Sequence, residues 1–246
     1  MIKFFRKIRQ QLIQENKMGK YFKYAIGEII LVVIGILIAL QLNSMRERSI
    51  DRQKEQSYLK EINLDFKSNK IQLDSIIEHN KKALHACKRL QFHIKNLRGY
   101  KNAKDIENHP LSDSLMYYQS WAFANKSYNP KSGSVRALIN SSSFDLIQND
   151  SLRRLLISWE DVLGDYLEEE EFERKFLFDY YYPYQTKTYE FETYFSEKNV
   201  KAWFSTIGYN NRELRIAGLE SILYAIDTEG ILTMINDIIK LTEPNN

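Results

Sequence analysis

An all-α fold is predicted, and three observations predict it. The run Tyr24 to Leu42, YAIGEIILVVIGILIALQL, carries a single acidic residue, Glu28, near its start. Beyond it no proline occurs before Pro110 and no glycine lies between Gly35 and Gly99, so no backbone-breaking residue interrupts a helix. From Leu59 the apolar residues recur every seven positions, the period of helices packing along one seam.

The apolar run predicts a transmembrane helix over residues 21–43. Nineteen residues rising about 1.5 Å each give roughly 28 Å, close to the thickness of a bilayer core. Ile29–Leu40 is free of polar side chains, whereas a soluble helix would show a wet face. The run ends Ile38-Ala39-Leu40-Gln41-Leu42-Asn43, without the alternate small residues of a cleavage site, so an uncleaved signal anchor is expected rather than a signal peptide.

Glu28 stands about 6 to 10 Å inside this span. A carboxylate there has to snorkel, protonate or find a partner. Val32, Gly35 and Ala39 share its helical face, and Gly35-x-x-x-Ala39 is a pair of small residues that lets two helices approach closely. Two readings stay open: Glu28 reaches the headgroups beside Lys20 and Lys23, or it faces another membrane helix.

Residues 1–23 hold seven Lys and Arg against one acid, Glu15. Within them Ile2, Phe5, Ile8, Leu12 and Ile13 fall on one face, predicting a basic amphipathic segment over 1–20 that lies on the membrane surface. The fifteen residues on either side of the span tie in positive charge, Arg9, Lys17, Lys20 and Lys23 against Arg46, Arg48, Arg52 and Lys54. The full N-terminal segment tips the balance. A cytoplasmic N-terminus and an extracytoplasmic C-terminal domain are expected.

Residues 44–246 are expected to form one extracytoplasmic helical domain, beginning with a long helix over about 44–98. Its seam is Leu59, Phe66, Leu73, Asn80, Cys87 and Ile94, with Ile62, Asn69, Ile76, Ala83, Leu90 and Leu97 beside them. Ten of these twelve are apolar. Ile77 and Leu84 widen the stripe and favour a bundle over a bare two-stranded coil. Asn69 and Asn80, within the seam, either fix register or a partner, or face a wet part of the bundle. Cys87 is the only cysteine, which rules out an internal disulfide. It reads as a small core residue, or as a crosslinking point if the seam pairs with a second copy.

Further along, Gly99–Pro110 reads as a polar loop. A helix is expected from His109–Asp113 to about Asn125, a turn over Ser127–Gly133, and a short helix over Ser134–Gln148. Asn149-Asp150-Ser151 caps a helix running to about Tyr182 before Pro183. Glu168–Glu171 with Glu173 reads as a solvated face. The aromatic stretch Phe172–Tyr209 reads as core packing at a helix corner or as a surface for a glycan or partner. Two helices over about Asn211–Ala225 and Glu229–Leu241 close the chain.

The chemistry classes are thin. The four histidines, His79, His85, His93 and His109, form no i, i+4 metal pair. No Gly-rich phosphate loop, GxSxG or HExxH occurs. The net charge of +3 sits at the front, which argues against a nucleic-acid partner. No catalytic residue, cofactor or metal is expected. Membrane lipid, and a homo-oligomer or another membrane protein, are the expected partners.

The basic Lys3–Arg9 front, the Ala25–Gln41 span with its acid, and the stretch Tyr128-Asn129-Pro130…Gly133…Leu146-Ile147-Gln148-Asn149…Leu152-Arg153 resemble an uncharacterised family of bacterial single-span membrane proteins, a domain of unknown function frequent in Bacteroidetes. The resemblance implies an inner-membrane location with the C-terminal domain outside, and no activity. With it, the leading expectation is a membrane-anchored scaffold or interaction protein of the cell envelope. The alternative is a ligand-sensing helical bundle that signals through a separate membrane partner.

Overall fold

The structure is a computed structural model that describes residues 18–100, 102–228 and 230–244. Among these the protein is all-α, with no strand. The amphipathic segment expected over 1–20 lies outside the described residues except for its last three positions, which are helical. The chain divides into two units, Met1–Gln56 and Ser57–Asn246.

Helix α1 (Met18–Asn96) is 79 residues long and contributes to both units. In the first unit it is long and apolar enough to cross a membrane, and among the described residues none of its apolar window is buried. Ile29, Leu31, Ile36, Leu37 and Leu40 are all more than half exposed. A continuous sleeve of apolar side chains is stable only in an apolar surrounding or against another apolar surface.

In the second unit the heptad seam is buried as expected. Eleven of its twelve positions are buried and Leu59 is half-buried. The seam packs on the chain's own helices. These are α2 (Ala103–Glu107), α3 (Ser112–Ala122), α4 (Gly133–Ile139), α5 (Asp150–Lys175), α6 (Tyr182–Thr188), α7 (Glu197–Phe204), α8 (Thr206–Thr228) and α9 (Ile231–Leu241). Cys87 is buried among them, and its Sγ lies 3.5 Å from the Arg212 carbonyl of α8. It is a core residue, and burial pushes its thiol up to about 12.

Two apolar clusters build this unit. One gathers Ile62, Phe66 and Leu73 of α1 with Trp159 of α5, Ile226 of α8 and Ile235 of α9. Phe66 meets Trp159 edge to face, with ring centroids 4.8 Å apart. Both are fully buried, so each contributes on the order of 3 kcal/mol through removal from water. The other gathers Leu90, Ile94, Leu115, Leu177, Tyr181 and Trp203.

Four expected elements are revised. The loop over Gly99–Pro110 contains a one-turn helix, α2, because Asn102 Oδ1 accepts from the Asp105 amide and Ile106 is fully buried. The helix expected over Ser134–Gln148 stops at Ile139. There Ser141 Oγ donates to the Leu138 carbonyl and accepts from the Ser143 amide, replacing helical bonds, and only a 3₁₀ turn, Phe144–Leu146, follows. Asn149 does cap α5, accepting from the Leu152 amide at 2.9 Å. Yet the helix does not end before Pro183. Phe176–Tyr181 widens into a π-helical segment in which the Tyr182 amide reaches the Leu177 carbonyl, and α6 resumes with Pro183 in its first turn, where a missing N–H is not needed. Finally, α7 lies inside what reads as an aromatic stretch. Ser196 caps it by accepting from Asn199.

A candidate ligand cleft and a candidate helix-contact face

In the first unit Glu28 is half-buried, while Gly35 and Ala39 are exposed. A methyl group built on Gly35 would meet nothing within 4 Å. Ala25, Glu28, Ile29, Val32 and Val33 border a shallow depression of about 360 Å³. Glu28 is the one acid within the apolar stretch Tyr24–Leu42 of α1.

The seam asparagines lie inside the bundle. Asn69 is 1 % exposed. Its Nδ2 donates to the Lys131 carbonyl at 2.8 Å and its Oδ1 accepts from the Lys131 amide at 2.7 Å. It therefore replaces a strand-like partner for the breaker-rich turn before α4. Trp159 Nε1, donating to Ser132 Oγ at 3.0 Å, pins the same turn from α5. Asn80 is also buried. The partner that Asn69 registers is the chain's own loop.

The glutamate run is only in part the solvated face expected: Glu168 is exposed, whereas Glu169 and Glu170 are half-buried and Glu173 is buried. Glu170 accepts from the Tyr128 amide and, at 2.6 Å, from the Tyr166 hydroxyl. Glu169 accepts from Ser221 Oγ. Glu173 is 2 % exposed and pairs with Arg215 of α8, itself 1 % exposed. Arg215 also donates to the Ala122 and Ala124 carbonyls, tying α8 to the end of α3. Burial pushes the Glu173 carboxyl up while Arg215 pulls it back. Glu171 pairs at the surface with Arg174 and Lys175. No group of three or more His, Cys, Asp or Glu is placed to hold a metal among the described residues.

The aromatic stretch divides. Tyr181 stacks on Phe123 with centroids 3.6 Å apart, and the Tyr182 and Tyr194 hydroxyls donate to the Phe123 and Leu115 carbonyls. These are core. Phe178, Tyr180 and Phe191 are at least half exposed.

Sequence reasoning missed a cleft of about 530 Å³ between the end of α1 and the α7–α8 corner. Lys95 and Arg98 reach it from α1 and the residues just after it, and Arg212 from α8. Trp203, Phe204 and Tyr209 line its aromatic side, and Ser205 and Thr206 stand at the N-terminal end of α8. The corner is tight. A Cβ on Gly208 would come within 2.3 Å of the Ala202 carbonyl oxygen, and Ser205 Oγ accepts from the Gly208 amide at 3.0 Å. Arg212 is 4 % exposed. It donates to Gln91 Oε1 and to the Trp203 carbonyl, and Gln91 in turn donates to Glu213. Burial pulls the Arg212 guanidinium below its ordinary value. One signal was available: Arg212 and Arg215 sit on the same face as Gly218, Leu219 and Ile222, in the apolar stripe of α8.

The chain belongs to DUF6090, a family of unknown function, whose model matches residues 28–167, more than half of its length. The match begins at Glu28 and takes in the buried seam, the Asn69-held turn and most of α5. No curated protein and no solved structure matches the chain.

Proposed function

We propose that the protein is a membrane-anchored interaction or scaffold protein of the bacterial cell envelope, without catalysis. In this reading residues 21–43 span the inner membrane once, the N-terminus is cytoplasmic and the helical domain is periplasmic. The observation that carries it is the apolar window of α1, which is not buried among the described residues, with Glu28, Gly35 and Ala39 on one face. An acid inside a span is best accommodated against another helix, and small residues beside it let that helix approach. The partner is a second copy of the chain or another membrane protein.

The test is the native mass of the full-length chain in mild detergent. The wild type should run well above the 29.2 kDa of one chain. Glu28→Leu and Gly35→Ile should each lower that mass. An assembly unchanged by both substitutions refutes the contact face. A second reading, a ligand-sensing bundle acting through a separate membrane partner, is favoured by the cleft beside Arg212.

A further inference from the structure

Two arginines stand three residues apart on α8, and the fold treats them differently. Arg215 is buried and receives a carboxylate, Glu173. Arg212 is 4 % exposed and receives none. Its partners are an amide oxygen and a backbone carbonyl, and no described residue gives its Nη1 a partner. A desolvated cation without a counter-anion is costly to keep, and the same helix shows that this fold can supply one.

The surroundings of Arg212 add to the imbalance. The cleft it lines also carries Lys95 and Arg98, and among the described residues no acidic side chain lines it. The N-terminal end of the 23-residue α8 is there too, adding partial positive charge. Trp203, 2 % exposed, has an indole N–H that no described residue accepts. Beside these donors lie Ile94 and the rings of Phe204 and Tyr209. A cavity of about 530 Å³ is the size of a small-molecule site, and such sites pair an apolar wall with a few convergent polar groups.

We infer that this cleft binds a small organic anion, a carboxylate or phosphate carried on an aromatic or acyl body. The acid group lies among Arg212, Arg98 and Lys95, and the body lies against Trp203, Phe204 and Tyr209. The inference rests on the ligand-sensing reading for binding alone. A ligand that binds without changing any partner removes sensing and leaves the cleft assignment standing.

The experiment is isothermal titration of the full-length chain in neutral maltoside micelles with phenyl phosphate and with benzoate. Phenol and inorganic phosphate serve as the matched halves. At least one of the two organic anions should bind saturably at one site, at least fivefold tighter than phenol and inorganic phosphate. The double variant Lys95→Glu/Arg98→Glu changes two exposed residues, so its circular dichroism should match the wild type while its affinity falls at least fivefold. Arg212→Gln should fall further. Absence of saturable binding by both anions overturns the inference. So does a fall of less than fivefold in the folded double variant, or inorganic phosphate binding as tightly as the organic anions.

Discussion

Gly218→Ala should be among the most damaging small substitutions in this protein, and its sign should reverse when one ion pair is removed. A Cβ on Gly218 would lie 1.6 Å from Glu173 Oε2 and 2.6 Å from Cδ. On an exposed glutamate the carboxylate would swing aside at little cost. Glu173 is 2 % exposed and holds Arg215, which is 1 % exposed, so moving it separates two buried charges. Separating such a pair costs about 3–5 kcal/mol. Alanine regains about 1 kcal/mol over glycine within a helix. A net loss of about 2–4 kcal/mol follows. In a Glu173→Ala/Arg215→Met background the obstacle and both charges are gone, and Gly218→Ala should stabilise by about 0.5–1 kcal/mol. The assay is urea unfolding of the full-length chain in micelles, followed by tryptophan fluorescence. Trp121, Trp159 and Trp203 all lie in the Ser57–Asn246 unit, so the signal reports the bundle. The same loss in both backgrounds, or no loss in the wild type, refutes the close-packed ion pair.

Two further outcomes follow from the interior. Asn69→Leu removes both bonds to Lys131 and leaves that backbone unpaired, so unfolding free energy should fall by about 3 kcal/mol. A change below about 0.5 kcal/mol, within the scatter of surface substitutions, would show that the turn holds itself. Burial lowers the pKa of His79 and of His93, with Arg89 adding to the effect on His93. A lowered histidine binds fewer protons folded than unfolded just below pH 6.5, so stability should fall as pH drops from 7 through 6.5, by up to about 1.4 kcal/mol per pH unit per histidine. The raised carboxyls of Glu170 and Glu173 act in the opposite direction. The His79→Gln/His93→Phe variant isolates the histidines: its stability should decline less than that of the wild type between pH 7 and 5.5. Parallel curves would contradict the assignment.

The features that were legible in the sequence are those set by period and by backbone chemistry. Phe66, Leu73, Ile76 and Leu90 announce the seam of α1 because burial on one helix face demands that spacing. Asn149 announces the start of α5 because its side chain can satisfy the first free amides. What was not legible depends on partners distant in the chain. Glu170 and Glu173 read as solvated among three other glutamates until Tyr128 and Arg215 are placed beside them. The π-helical turn at Phe176–Tyr181, after which the helix runs on through Pro183, has no residue pattern that announces it. The cleft joins Arg98 to Arg212 across a long stretch of sequence, and neither residue type nor spacing signals it. Ser196 at the start of α7 was a cap signal hidden among aromatic residues that drew the reading toward a corner.

Purification of the tagged full-length protein from native membranes in mild detergent, with its mass and co-purifying proteins determined, tests the central claim most directly. The account predicts membrane-fraction protein in a defined assembly, either a homo-oligomer or a complex with one other membrane protein, that Glu28→Leu disrupts. Recovery of a lone monomer from the membrane would contradict the interaction role, and recovery from the soluble fraction would contradict the anchor itself.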